Sequence, residues 1–188
     1  RNQIMFPIMD IKGNITGFGA RTLGDALPKY VNSPQTMIFD KSSSIYAVHK
    51  ATPFIREKGK LIIVEGYMDV LIAHQHGLNN VIAQMGTALT EAQLRVLKRH
   101  TQRFILALDS DVAGDQATLR GLDVARQVMD REVVPVPTPQ GLIRFEDRLA
   151  ADIRIVSLPP GRDPPQQAVD VGPPGVVHPH QGVVEDQG

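Results

Sequence analysis

Four carboxylates stand at the ends of the two most apolar runs of this chain. Leu61-Ile62-Ile63-Val64 leads into Glu65-Gly66-Tyr67-Met68-Asp69, and Phe104-Ile105-Leu106-Ala107-Leu108 leads into Asp109-Ser110-Asp111. Unbroken apolar runs of this length are the pattern of strands buried on both faces, as in a parallel sheet covered by helices. Ligands of open α/β sheets lie outside the carboxyl ends of the strands, so acids placed there converge on one crevice. Crowded carboxylates repel one another and take up protons unless a cation neutralises them. The expected occupant is a hard divalent ion held by oxygen, Mg²⁺ or Mn²⁺ in its place, and the expected chemistry is phosphoryl transfer.

The elements that must position these acids alternate. The pattern predicts strand 61–65, helix 67–76 closed by Gly77, strand 80–84, helix 91–100, strand 103–108, helix 112–131 and a last strand over 153–158. Thr90 followed by Gln93 is a capping-box start. Strands spaced by amphipathic helices imply βαβ crossovers and a parallel sheet. Pro135 to Ala151 reads as an inserted excursion. Upstream, Ile4–Met9 and Ile15–Arg21 read as a hairpin about a Lys12-Gly13-Asn14 turn, with Gly17 and Gly19 marking bends or close approaches. Pro28 to Pro34 reads as loop. A short helix is expected from Ser44 to Ala51, with Pro53 starting a new turn or kinking it. Residues 164–188 hold five prolines, four glycines and no aromatic, and read as disordered.

The 188 residues are 42% hydrophobic, enough for a core, and the formal net charge is zero. The charge is unevenly spread. Residues 1–60 carry nine Lys/Arg against four Asp/Glu, and residues 61–188 eleven against sixteen. A basic segment beside an acidic centre suits an enzyme that grips a polyanion and reacts on phosphates. Cysteine is absent, which excludes disulfides and cysteine-ligated zinc. The sequence has no long apolar span and no signal-peptide pattern at Arg1-Asn2-Gln3, so the expectation is a cytoplasmic chain without membrane contact. The opening directly on a strand-like run, without Met, reads as a fragment of something longer.

At Val64-Glu65-Gly66-Tyr67-Met68-Asp69, Asp109-Ser110-Asp111-Val112-Ala113-Gly114 and Gly161-Arg162-Asp163-Pro164 the chain resembles the Toprim fold, shared by bacterial primases, topoisomerases of types IA and II, and small repair and nuclease proteins. Before it, Phe6-Pro7-Ile8, Gly17-Phe18-Gly19-Ala20-Arg21, Pro28-Lys29-Tyr30-Val31-Asn32-Ser33-Pro34 and Ile38-Phe39-Asp40-Lys41 are similar to the amino-terminal part of the RNA polymerase core of bacterial replicative (DnaG-type) primases. The resemblance implies an α/β architecture: a Toprim-type parallel sheet flanked by helices over residues 60–163, preceded at 1–59 by part of a basic α+β subdomain. It implies synthesis of short RNA primers on single-stranded DNA from ribonucleoside triphosphates. It makes Glu65, Asp109 and Asp111 catalytic and metal-holding, with Glu65 a metal ligand or the general base, adds Asp69 and Asp163 as accessory metal acids, and assigns Arg21, Lys29, Asn32 and Lys41 to template or nucleotide. A replicative helicase is the implied partner, through a domain not in this chain.

Other readings fit the same residues. A Toprim nuclease or topoisomerase fragment, or an inactive DNA-binding remnant, shares the acidic trio. Asp111 alone would also serve as a helix N-cap, and Asp69 as a solvated helix face. Gly86-Thr87 makes a tight turn able to bring backbone amides near a phosphate. His74 and His76, two apart on a helix, do not share a face. Met68 and Met85 read as core filler. Where the primase pattern has a second acid two positions after Asp163, this chain has Pro165. The abrupt loss of pattern there reads as a frameshifted or truncated frame.

Overall fold

The computed structural model describes residues 2–25, 27–85, 89–107 and 112–156, with 112–119 as backbone alone. Gly86-Thr87, Asp109, Asp111, Asp163 and the 164–188 segment lie outside the described residues.

The chain opens with a three-stranded antiparallel sheet, β1 (Gln3–Met9), β2 (Ile15–Thr22) and β3 (Tyr30–Asn32), in that order. Asp10 fixes the β1–β2 turn, its Oδ1 accepting from the amides of Lys12 and Asn14 at 2.9 Å each. Gly13 takes the left-handed φ of 88° that the turn requires. The stretch between Pro28 and Pro34 is not all loop: Ala20 and Arg21 pair with Val31 and Tyr30, making β3 an edge strand.

The expected 44–51 helix is shifted. Ile45–Tyr46 forms β4, which pairs antiparallel with Gln84 and Ala83, and α1 runs from Val48 to Lys58 straight through Pro53. Pro53 lacks the amide that would have bonded the His49 carbonyl, yet the turn persists because Val48, Ala51 and Ile55 are buried in the core. Gly59, at φ 60°, ends the helix.

Strands β5 (Leu61–Val64), β6 (Val81–Gln84), β7 (Arg103–Leu106) and β10 (Asp152–Ile155) form the main sheet with β4, in the order β10-β7-β5-β6-β4. β5 pairs in parallel with both β6 and β7, and β7 with β10. The period-two alternation explains why the apolar runs are unbroken. Leu61, Ile63, Ile82, Phe104 and Leu106 join one core with residues of α1, α3 (Glu91–Leu97) and α4 (Val112–Val128). Val64, Val81 and Ala83 join a second core with α2 (Tyr67–Gln75), Phe6, Ile8 and Phe39. The amino-terminal sheet is therefore packed onto the face that α2 covers. The Thr90–Gln93 capping box forms, with Gln93 N donating to Thr90 Oγ1 at 3.2 Å and Thr90 N to Gln93 Oε1 at 3.1 Å.

The 135–151 excursion is ordered and starts earlier. β8 (Arg131–Pro137) and β9 (Ile143–Leu149) make a two-stranded hairpin paired with no other strand among the described residues, closed at its base by Ala150 N donating to Asp130 O at 2.8 Å. Among the described residues no helix is long and apolar enough to cross a membrane.

Candidate active site

Glu65 is the first residue beyond β5, the strand with β7 on one side and β6 on the other. It is half-buried at the carboxyl end of the parallel strands. Ala107 N donates to Ile63 O at 2.9 Å, so the strand leading to Asp109 is registered on the strand leading to Glu65. Val156 N donates likewise to Leu106 O at 2.8 Å, carrying the ladder on to β10, the strand that precedes Asp163. The ladder thus joins the strands preceding all three acidic segments.

The first turn of α2 fixes the corner after Glu65. Asp69 turns back so that its Oδ2 accepts from Gly66 N at 3.0 Å, serving as the third helical residue of a cap. One of its carboxylate oxygens is thus engaged in holding the corner. Tyr67, the first residue of the helix, points into the second core, where its ring stacks on Phe6 at 5.1 Å and meets Tyr46 edge-on at 4.7 Å. Its hydroxyl donates to Asn32 Oδ1. Burial pushes the Tyr67 phenol up to about 12, so it remains a protonated donor at neutral pH.

The basic residues divide into two groups. Arg21 lies opposite Tyr30 in the β2–β3 pairing, and its guanidinium stands 5.7 Å from the Tyr30 ring centroid. Exposed Lys29 follows on the same edge, its carbonyl accepting from Thr22 N at 3.0 Å. Asn32, on the same strand, connects this edge to Tyr67 and so to the Glu65 corner. Lys41 stands apart, lining an open cleft of about 920 Å³ with Gln35, Asp40, Thr90, Arg120 and Asp123. Hydrogen bonds from Ser42 hold the Asp40 carboxyl below its ordinary value, so the cleft mixes both signs of charge.

Hard oxygen donors suit a divalent cation, and the Glu65 carboxylate follows directly on a strand end, with Asp69 in the first turn of the helix after it. Among the described residues no group of three or more candidate ligands stands together. Asp109, Asp111 and Asp163 lie outside that set. Met85 is buried and Met68 packs against the second core, as filler. His74 Nε2 lies 2.9 Å from the Val81 carbonyl, a structural contact. Tyr67 is the residue that sequence reasoning passed over, since its partner Asn32 lies 35 residues away in sequence and leaves no local signal.

Two family models match the chain: "Toprim domain" over residues 59–134 and "DNA primase catalytic core, N-terminal domain" over residues 1–52. The chain is 41% identical over 164 residues to a DNA primase of Clostridium acetobutylicum, covering 87% of this chain and 24% of that protein. Among solved structures it is similar to the Escherichia coli primase catalytic core, at a TM-score of 0.74 and 36% identity, covering 92% of this chain and 50% of that one. It is also similar to a DnaG primase catalytic domain bound to single-stranded DNA, at a TM-score of 0.73 and 35% identity, again covering 92% and 50%. The chain spans about a quarter of the length of the curated relatives it matches. The match over residues 1–52 favours a primase over a nuclease or topoisomerase fragment, which the Toprim match alone would not do.

Proposed function

The chain belongs to the bacterial DnaG-type primase family, and from that premise we propose that it carries nucleotidyl-transfer machinery that makes short RNA primers on single-stranded DNA. In this reading residues 1–59 hold the template and residues 60–163 the reacting phosphates. The 3′-hydroxyl of the growing primer attacks the α-phosphorus of a ribonucleoside triphosphate and loses its proton, the new phosphodiester forms, and the bond from the α-phosphorus to the bridging oxygen breaks so that pyrophosphate leaves with its electron pair. A bound divalent cation, Mg²⁺ or Mn²⁺, neutralises charge on the transferring group. Glu65, Asp69, Asp109, Asp111 and Asp163 are the residues that would hold it. Glu65 holds the cation or takes the proton of the attacking hydroxyl, two roles that a divalent-metal titration and a pH–rate profile of Glu65→Asp separate.

Arg21, Lys29 and Asn32 grip template, and Lys41 meets nucleotide or template in its cleft. The reaction takes place in the cytoplasm, beside a replicative helicase engaged outside this chain. The observation that carries the reading is the position of Glu65: it ends a central parallel strand and is joined through Tyr67 and Asn32 to the basic sheet edge.

Template-dependent incorporation of labelled ribonucleotides tests it. Synthesis in Mg²⁺ or Mn²⁺ that vanishes in Glu65→Gln, with the melting curve unchanged, is the expected result. Cleavage of the template instead of synthesis would replace this reading with a nuclease, and binding without either reaction would reduce the chain to a DNA-binding module.

A further inference from the structure

Two segments with different tasks meet at one buried phenol. Tyr67 stands two residues after Glu65, and Asn32 stands on β3, which Lys29 directly precedes and whose Tyr30 pairs with Arg21. The Tyr67 ring is clamped by Phe6 and Tyr46, and Gly19, the β2 partner of Asn32, leaves just enough room for it. Only 8% of Tyr67 is exposed. The phenol therefore cannot swing away to find another partner, and its hydrogen bond to Asn32 joins two rigid walls.

We propose that Tyr67 is a positioning residue, which through Asn32 fixes the basic β2–β3 edge at a set distance from Glu65. The inference rests on the primase reading for what the edge holds. A polyanion seated on Arg21 and Lys29 is then delivered in register with the acidic corner, because neither wall shifts without breaking the Tyr67–Asn32 bond. Small displacements of a seated reactant have large effects on rate, so a rigid link is worth keeping at the core. A purely structural role for Tyr67 would require the ring alone.

The 188-residue chain with Tyr67→Phe, Asn32→Ala and the double substitution separates these cases. Tyr67→Phe keeps the stacking and removes only the hydroxyl. Amide hydrogen exchange should quicken roughly fivefold at residues 30–33 and 66–69 together, while the β5–β6 ladder is unchanged. Binding of an oligothymidylate of about 16 nucleotides should weaken by the same factor in Tyr67→Phe, more in Asn32→Ala, which also loses its own contact, and no further in the double than in Asn32→Ala. Asn32→Asp, which keeps an acceptor for the phenol, should restore slow exchange. Unchanged exchange in Tyr67→Phe, or quickening on one wall only, overturns the proposal. So do additive losses of DNA binding, which would mean that Tyr67 acts on DNA by a route other than Asn32. A parent chain that fails to bind the oligonucleotide overturns the primase reading instead, and exchange still decides whether the two walls are linked.

Discussion

A methyl group on Gly19 would sit 2.6 Å from both Cζ and the hydroxyl oxygen of Tyr67. No real Cβ approaches atoms so closely, and the ring has no free space to yield into because Phe6 and Tyr46 hold its other sides. Gly19→Ala should therefore destabilise the chain by about 1–3 kcal/mol, the usual cost of overpacking. Gly24→Ala, where the added carbon meets nothing within 4 Å, should stay within about 0.5 kcal/mol of the parent. Urea denaturation of the two variants checks the contrast, and equal midpoints would show that the Tyr67 ring is free to move.

Asp69 caps the Gly66 corner and, in the proposed function, also holds the cation. Asp69→Asn retains an acceptor for the Gly66 amide and should melt near the parent temperature, whereas Asp69→Ala should lose about 1 kcal/mol. Both remove the charge, so both should weaken the rise in melting temperature produced by Mg²⁺. Thermal melts with and without the ion read the two effects separately.

Lys29 is exposed and makes its described hydrogen bond through its backbone, so Lys29→Ala should act on DNA alone. The slope of log affinity against log salt should flatten by about 0.7 for one lost contact to a single strand. Arg21→Ala should flatten it similarly and also cost about 0.5–1 kcal/mol of stability, because the guanidinium leaves the Tyr30 ring. Fluorescence anisotropy across a salt series, compared with denaturation, distinguishes them.

Acid should destabilise the fold before the carboxylates titrate. His49 and His100 are both held below the ordinary value of 6.5, chiefly by burial. Lys50 adds to this at His49 while Asp10 opposes it, and Arg56 and Arg99 add to it at His100. Among the described residues His49 Nδ1 and His100 Nε2 are buried without a hydrogen-bond partner, and His100 Nδ1 faces the Arg56 guanidinium at 3.2 Å. The unfolded chain binds protons first as pH falls, so stability is full above about 6.5 and declines below it toward the depressed native values. Melting temperatures from pH 8 to pH 5 should show this loss, and His100→Gln should remove part of it. A flat profile in the parent would mean that neither ring is held neutral.

Much of the sheet was legible because its signals are local. The runs at 61–64 and 103–106 have no alternative to burial on both faces, and Thr90 with Gln93 caps α3 through side chains three residues apart. Gly17 and Gly19, read as close approaches, lie beneath Phe39 and Tyr67. What was missed depends on distant partners. Tyr30–Asn32 becomes a strand only because β2 lies alongside, and Ile45–Tyr46 only because β6 accepts it. Pro53 stays inside α1 because the buried Ala51 and Ile55 outweigh the missing hydrogen bond. At the candidate site, the Glu65 corner was legible from strand and acid alone. The link to Asn32 spans 35 residues of sequence and has no local signature.

The β8–β9 hairpin bears on how this chain can be engineered. Arg131 and Leu149 are paired across its base, where backbones of an antiparallel pair lie roughly 5 Å apart, and Leu149 packs on the first core. A turn of about two residues spans that gap. Residues 132–148 are therefore a removable module: Asn-Gly in their place shortens the chain while β7 and β10 keep their register. It also deletes exposed Val133, Leu142, Ile143 and Phe145, apolar surface that promotes aggregation. The same base is a port at which a fluorophore-bearing peptide or an affinity handle can be grafted without touching the Glu65 corner.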